Sequence, residues 1–257
     1  MGKVETKLTE HLDMQKIPYG LLITGSRATG NSSENSDYDF ILIVDKDKLE
    51  VLKKTFDFVR GTESVINEVL ENKADIGALK FDFEGGLISI HIITKEILEL
   101  MANPHYLKLK STRNTPYRDG DYLVTDLKSN KRRPGIALKG GKKVELPYLL
   151  VKKSTVEVGY VDHIVKSKIV KDTIGIKRRI NHIFLGYVRS VLYHQQHMTY
   201  NRGTGRLEIE KHVTPEIVMK TIQDHEKWPS ATKKEMGEKI GDAITSLRKQ
   251  DYRKRRY

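Results

Sequence analysis

Two aspartates one residue apart, Asp37 and Asp39, follow a loop of small residues that opens with Gly25-Ser26. On an extended chain both point to the same side, because alternate residues of a strand share a face. Parallel carboxylates repel unless a cation lies between them. A hard divalent ion, Mg²⁺ or Mn²⁺, accepts such oxygen ligands and takes phosphate oxygens into the rest of its shell. Two such ions about 4 Å apart can steady both the attacking and the leaving oxygen of a phosphoryl transfer. Gly25 lets the backbone approach a phosphate closely, and the Ser26 hydroxyl with neighbouring amides can donate to its oxygens. Gly30 gives the loop freedom to turn.

Two strands must hold this loop. Tyr19–Thr24 is an apolar run bounded by Pro18 and Gly25, and Tyr38–Val44 is a second such run; both read as buried strands. Residues 26–36 are rich in Gly, Ser and Asn and read as a loop with at most one helical turn. Helical spacing is expected over 6–16, 47–59, 64–72 and 95–102. Residues 78–93 read as a hairpin: Leu79, Phe81 and Phe83 alternate with polar residues, as do Ile88, Ile90 and Ile92. A turn at Gly85-Gly86 pairs Phe83 with Ile88, Asp82 with Ser89, Phe81 with Ile90 and Lys80 with His91. All the large apolar side chains then share one face.

Gly-Ser alone means little, and serine-asparagine-aspartate clusters mostly make turns. The joint pattern is informative: apolar run, Gly-Ser, ten residues, Asp-x-Asp, apolar run. It resembles the polymerase-beta-type nucleotidyltransferase superfamily, closely over residues 20–44 and more loosely to about residue 97. The resemblance implies transfer of a nucleoside monophosphate from a triphosphate such as ATP to an acceptor hydroxyl, with release of pyrophosphate. It implies triphosphate binding by Gly25 and Ser26 and metal binding by Asp37 and Asp39. The family's third carboxylate is replaced here by Ser89. In the expected register Asp82 stands across from it, a candidate for the missing catalytic and metal-binding group, with His91 as a further candidate base. A cation from outside the paired-aspartate strand is also implied; Arg27 and Lys139 are candidates, as are Lys177 and Arg178.

The chain has no cysteine, which excludes disulfides, thiolate metal sites and cysteine nucleophiles. No apolar run is long enough to span a bilayer, and a cytoplasmic protein is expected. The net charge of +12 is uneven. Residues 1–100 hold 12 Lys and Arg against 18 Asp and Glu, and the remainder holds 34 against 16. Metal chemistry fits the acidic part and a polyanion the basic part. Tyr106, Tyr117, Tyr122, Tyr148, Tyr187, Tyr193 and Tyr200 interleave the later charges, and aromatic rings stack on unpaired bases. The expected fold is α+β: a small mixed sheet flanked by helices over 1–103, then a basic, mainly helical part over 104–257. The expected acceptor is RNA, with a tRNA 3′ end one choice. A small-molecule or protein acceptor is the alternative, as is a nucleic-acid-binding protein with a decayed site. His163, His182, His194 and His197 show no metal-ligand spacing and read as ordinary helix residues.

Overall fold

The leading amphipathic segment forms α1 (Lys3–Asp13), which delivers the chain to β1 (Tyr19–Thr24). A single helical turn, α2 (Gly25–Thr29), leads through the small-residue loop to β2 (Tyr38–Val44). β1 and β2 are antiparallel, with Tyr19 opposite Val44 and Thr24 opposite Asp39. Helices α3 (Leu49–Thr55) and α4 (Thr62–Leu70) carry the chain over the sheet to the hairpin β3 (Ile76–Phe83) and β4 (Gly86–Thr94). β4 lies parallel to β2, which the intervening helical crossover permits. Helix α5 (Lys95–Met101) follows.

The computed structural model describes residues 2–101, 136–137, 143–144, 158–195, 197–201, 203, 206–222 and 225–249. Lys139, the strand-like runs that the sequence suggests at Tyr122–Thr125 and Tyr148–Val151, and the basic residues Arg253-Lys254-Arg255-Arg256 therefore lie outside the described residues. Two short strands, β5 (Ile136–Ala137) and β6 (Lys143–Val144), pair antiparallel on either side of residues 138–142. The sequence suggests a long, partly interrupted helical stretch to Gln196 with Asp162 as its cap; the structure shows the interruption to be a strand and moves the helix start ahead of Asp162. Helix α6 (Val158–Lys166) already contains Asp162, and a strand, β7 (Lys168–Asp172), separates it from α7 (Lys177–His194). The β-branched pair Ile169-Val170 suits a strand, and β7 hydrogen-bonds to the open edge of β1. The chain then forms a hairpin, β8 (Met198–Asn201) and β9 (Arg206–Ile209). Two more helices follow, α8 (Pro215–Met219), with proline in its first turn, and α9 (Ser230–Lys249).

The main sheet has the order β3-β4-β2-β1-β7. One face packs Phe40, Leu42 and Ile90 against Leu8, Leu12, Leu49, Leu52, Ile66 and Val69 of α1, α3 and α4. The other packs Leu22, Ile41, Ile43 and Ile93 against α5, α6 and α7 through Leu98, Val161, Ile164 and Ile183. A third core, around Leu192, Val218, Trp228 and Ile240, joins the rest of α7 to α8 and α9. This is the expected α+β architecture with a helical later part, except that the later part also supplies an edge strand to the sheet.

Asp172 fixes the turn from that strand into α7. Its carboxylate accepts hydrogen bonds from the backbone N–H groups of Ile174 at 3.2 Å, Ile176 at 2.9 Å and Lys177 at 3.1 Å. Partial burial pushes its pKa up, but these N–H donors outweigh it and hold the group below the usual aspartate value. The stabilisation is therefore present above the unfolded-state pKa and is lost as pH falls through the lower folded-state value. Asp172→Ala should cost about 1 kcal/mol at neutral pH, the usual scale for a lost helix cap. In urea unfolding series, the gap between variant and wild type should narrow as pH falls below the ordinary aspartate range. A gap that stays constant with pH would show that the charge contributes nothing.

Candidate active site

The site is a row across the sheet. Thr24 of β1 stands opposite Asp39 of β2, Asp39 opposite Ser89 of β4, and Ser89 opposite Lys80 of β3. Directly paired residues share a face, so these four side chains lie together, on the face that α6 covers. The Thr24 hydroxyl donates to the His163 carbonyl of α6 at 3.0 Å. His91 lies one row deeper, beside Ile41. Asp37 lies just before β2, and its Oδ2 is 3.4 Å from Lys80 Nζ.

Gly25 occupies the corner where β1 ends. Its φ of +66° is in the left-handed region, and a Cβ there would collide with the Asp39 carboxylate. Absence of a side chain is thus what lets Asp39 lie against the start of the loop. The one-turn helix α2 ends in the same way, at Gly30 with φ +81°. From the later part of the chain, the Thr232 hydroxyl of α9 donates to the Thr29 carbonyl at 2.9 Å, bracing this loop from behind.

Electrostatics mark the same spot. Burial raises the Asp39 pKa, the neighbouring Asp37 charge raises it further, and His163 and Lys80 offset part of the rise. The His91 pKa is lowered, first by burial and then by the positive charge of His163. A half-buried carboxylate of raised pKa, Asp39, repelled by a second one beside it, suits a divalent cation, which removes the repulsion that burial aggravates. The oxygen donors of Asp37 and Asp39 fit such an ion.

The hairpin register differs from the sequence expectation. The turn is Glu84-Gly85, with φ +52° and +81°, as a two-residue type I′ turn requires. Phe83 therefore pairs with Gly86, Asp82 with Leu87 and Lys80 with Ser89, each partner two residues from the expected one. A slip of two preserves every face, so the apolar sorting is equally good in both registers and only the turn chooses. Gly86 belongs to the strand because its backbone lies against the Tyr38 ring, where a Cβ would stand 3.0 Å from a ring carbon. The result is that Lys80, not Asp82, adjoins Ser89. Asp82 sits one row nearer the hairpin tip, on the same face and exposed.

Arg27 serves its own loop. Its guanidinium donates to the Asp37 carbonyl at 3.1 Å and to the Ser36 carbonyl, and lies 3.5 Å from the centre of the Tyr38 ring. It thereby fixes the segment that carries Asp37. Lys177 and Arg178 begin α7 beside Asp172, which pairs with Gly20. That is the far end of β1 from Gly25, about 16 Å away at the rise of a strand. Lys168, opposite Ile23, is at the near end. Lys80 and His163 are the site residues that sequence reasoning missed. A correct turn assignment would have found Lys80; His163 arrives through the packing of α6, for which the local sequence carries no signal.

Residues 4–118 match the family model described as a nucleotidyltransferase domain. That segment contains α2, the paired aspartates and the whole hairpin, so this part of the chain is a nucleotidyltransferase domain of the polymerase-beta-type superfamily. Its general chemistry is nucleotidyl transfer from a nucleoside triphosphate, in a family that typically uses a divalent metal. No curated protein matches the chain. Among the described residues, no helix is long and apolar enough to cross a membrane.

Gly25→Ala and Gly85→Ala separate strain from collision. Both residues have positive φ, but a Cβ at Gly85 would meet nothing within 4 Å. Each substitution should cost about 1–2 kcal/mol for the left-handed backbone. Gly25→Ala should cost more, because the Asp39 carboxylate must also move. Equal losses in thermal unfolding would show that the close approach to Asp39 has no energetic consequence.

Proposed function

We propose that the chain is a Mg²⁺-dependent enzyme that transfers a nucleoside monophosphate to a hydroxyl of RNA, in the cytoplasm, with residues 1–103 as the catalytic core and β7 as its edge. The observation that carries the reading is the juxtaposition of Gly25 with Asp39, beside Asp37 and on the row that ends at Lys80. Asp37 and Asp39 would hold the metal, Mn²⁺ being an acceptable substitute. When bound, the ion neutralises triphosphate charge and steadies the oxygens of the transferring phosphoryl group.

The protein's own share is positioning. Backbone amides after Gly25 and the Ser26 hydroxyl receive the triphosphate, and Arg27 holds the loop so that the Asp37 side chain faces it. The acceptor hydroxyl attacks the α-phosphorus in line, the bond to the bridging oxygen breaks, and pyrophosphate leaves. Lys80 places a positive charge beside the carboxylates, where transferring oxygens gain charge. The hydroxyl proton passes to Asp82 or to water. Asp82 is two strands from β2, about 10 Å at ordinary strand spacing, which favours contact with the acceptor over sharing the ion of Asp37 and Asp39. Lys139 is a candidate for the outer phosphates.

The charge of the later part supports RNA as acceptor, since 34 of the 46 Lys and Arg lie beyond residue 100. Purified protein incubated with Mg²⁺, each α-³²P nucleoside triphosphate in turn and total RNA should label a discrete RNA. Asp37→Asn or Asp39→Asn should lower the rate by more than about 100-fold while the protein stays folded. Loss of a mere outer-shell partner costs 10- to 100-fold. Near-normal activity in either variant would overturn the site assignment. Label on protein or a small molecule would replace RNA as the acceptor, and no labelled product would point to a decayed site.

RNA affinity supplies an independent check. If six or more phosphates are neutralised, binding should weaken by about 10³-fold or more between 50 and 200 mM salt. Affinity that barely changes with salt would remove the basic part from acceptor binding.

A further inference from the structure

Away from the nucleotidyltransferase row, three side chains converge where the β8–β9 hairpin meets the turn into α8. We propose that His197, Glu210 and His212 form a zinc site. One ligand atom from each lies within 4.8 Å of the other two. His212 Nδ1 is 3.5 Å from Glu210 Oε2, and the imidazoles of His197 and His212 meet edge to face with centroids 5.7 Å apart. A tetrahedral zinc with bonds of 2.0–2.2 Å places neighbouring ligand atoms about 3.4 Å apart. One pair already has that spacing, and small side-chain rotations bring in the third.

The backbone explains the convergence. The hairpin pairs Met198 with Ile209, and the ladder continues one step outward, where Glu210 N–H donates to the His197 carbonyl at 3.1 Å. Opposed residues share a face, so His197 and Glu210 stand side by side, and His212 follows two residues on. The loop is already clamped from behind. Arg248 of α9 donates to the carbonyls of Glu210 at 3.0 Å, Lys211 at 3.4 Å and Val213 at 3.3 Å. His197 N–H is tied to the Leu192 carbonyl at 2.9 Å. Ligands are thus presented from a backbone ordered independently of any metal, which reduces the ordering cost of binding.

Donor chemistry selects the ion. Two imidazoles and one carboxylate suit zinc or a neighbouring first-row ion and are poor ligands for Mg²⁺, which demands oxygen. Three protein ligands leave a fourth position for water. The site would pin the exit of α7 to the turn before α8. This module also supplies Thr232, which braces the Thr29 end of the active-site loop. By its spacing in the sequence His197 reads as an ordinary helix residue; it stands instead just before β8, and Glu210, thirteen residues away, becomes its neighbour through the hairpin.

The test is a zinc titration of the untagged, chelator-stripped full chain against a chromophoric competitor, run in parallel on wild type and Asp39→Asn. Both should take up one equivalent with the same affinity, since the site is independent of the paired aspartates, and the melting temperature of Asp39→Asn, whose paired-aspartate site is disabled, should rise with zinc but not with Mg²⁺. His212→Ala, at a mostly exposed position where folding is not at stake, should weaken uptake about tenfold or more, and His197→Ala likewise. Co²⁺ in place of zinc should give the intense visible bands of four-coordinate geometry in wild type and lose them in the His197→Ala/His212→Ala double variant. Uptake unchanged in that double variant, or no uptake at micromolar zinc, would overturn the site.

Discussion

Two carboxylates on alternate residues at the start of a strand repel each other, and burial makes the repulsion worse. In this protein the strain falls on Asp39, which is half-buried beside Asp37 and presses against the Gly25 corner of the loop, where there is no side chain. That contact depends on the antiparallel register of β1 and β2, which sets Thr24 opposite Asp39 and so brings Gly25 to its carboxylate. Most of the surrounding structure serves to hold this register: apolar cores on both faces of the sheet, the Arg27 clamp on the Asp37 loop, and α9 behind α2.

The later part of the chain is not an appendage to this core. Strand β7 closes the edge of β1, and the Asp172 cap then turns the chain back into α7 across the sheet. α6 lays His163 near the carboxylates and takes a hydrogen bond from Thr24. A strongly basic half thus contributes to both the wall and the electrostatics of an acidic site.

Ser89 and Lys80 give the row its particular character. Where the superfamily resemblance implies a third acid, the chain carries a hydroxyl, with an ammonium group across from it and within ion-pair distance of Asp37. The charge at that end of the row is therefore less negative than three carboxylates would make it. Asp82 restores an acid on the same face, but one row away and toward the hairpin tip.

Much of this was legible in the amino-acid sequence alone. The strands flanking Gly25-Ser26 and Asp37-x-Asp39 follow from apolar runs bounded by Pro18, Gly25 and polar residues. The α+β architecture follows from the succession of periods. These are local signals, carried by side-chain spacing and turn chemistry within a few residues. The register of β3 against β4 was not legible, because a slip of two leaves every apolar residue on its proper face, and what distinguishes the alternatives is the turn, at Glu84-Gly85 rather than Gly85-Gly86, with Gly86 packed against Tyr38. β7, the position of His163 and the meeting of His197 with Glu210 were invisible for a related reason. Each is a pairing between segments distant along the chain, and its energy comes from a partner that no local window contains.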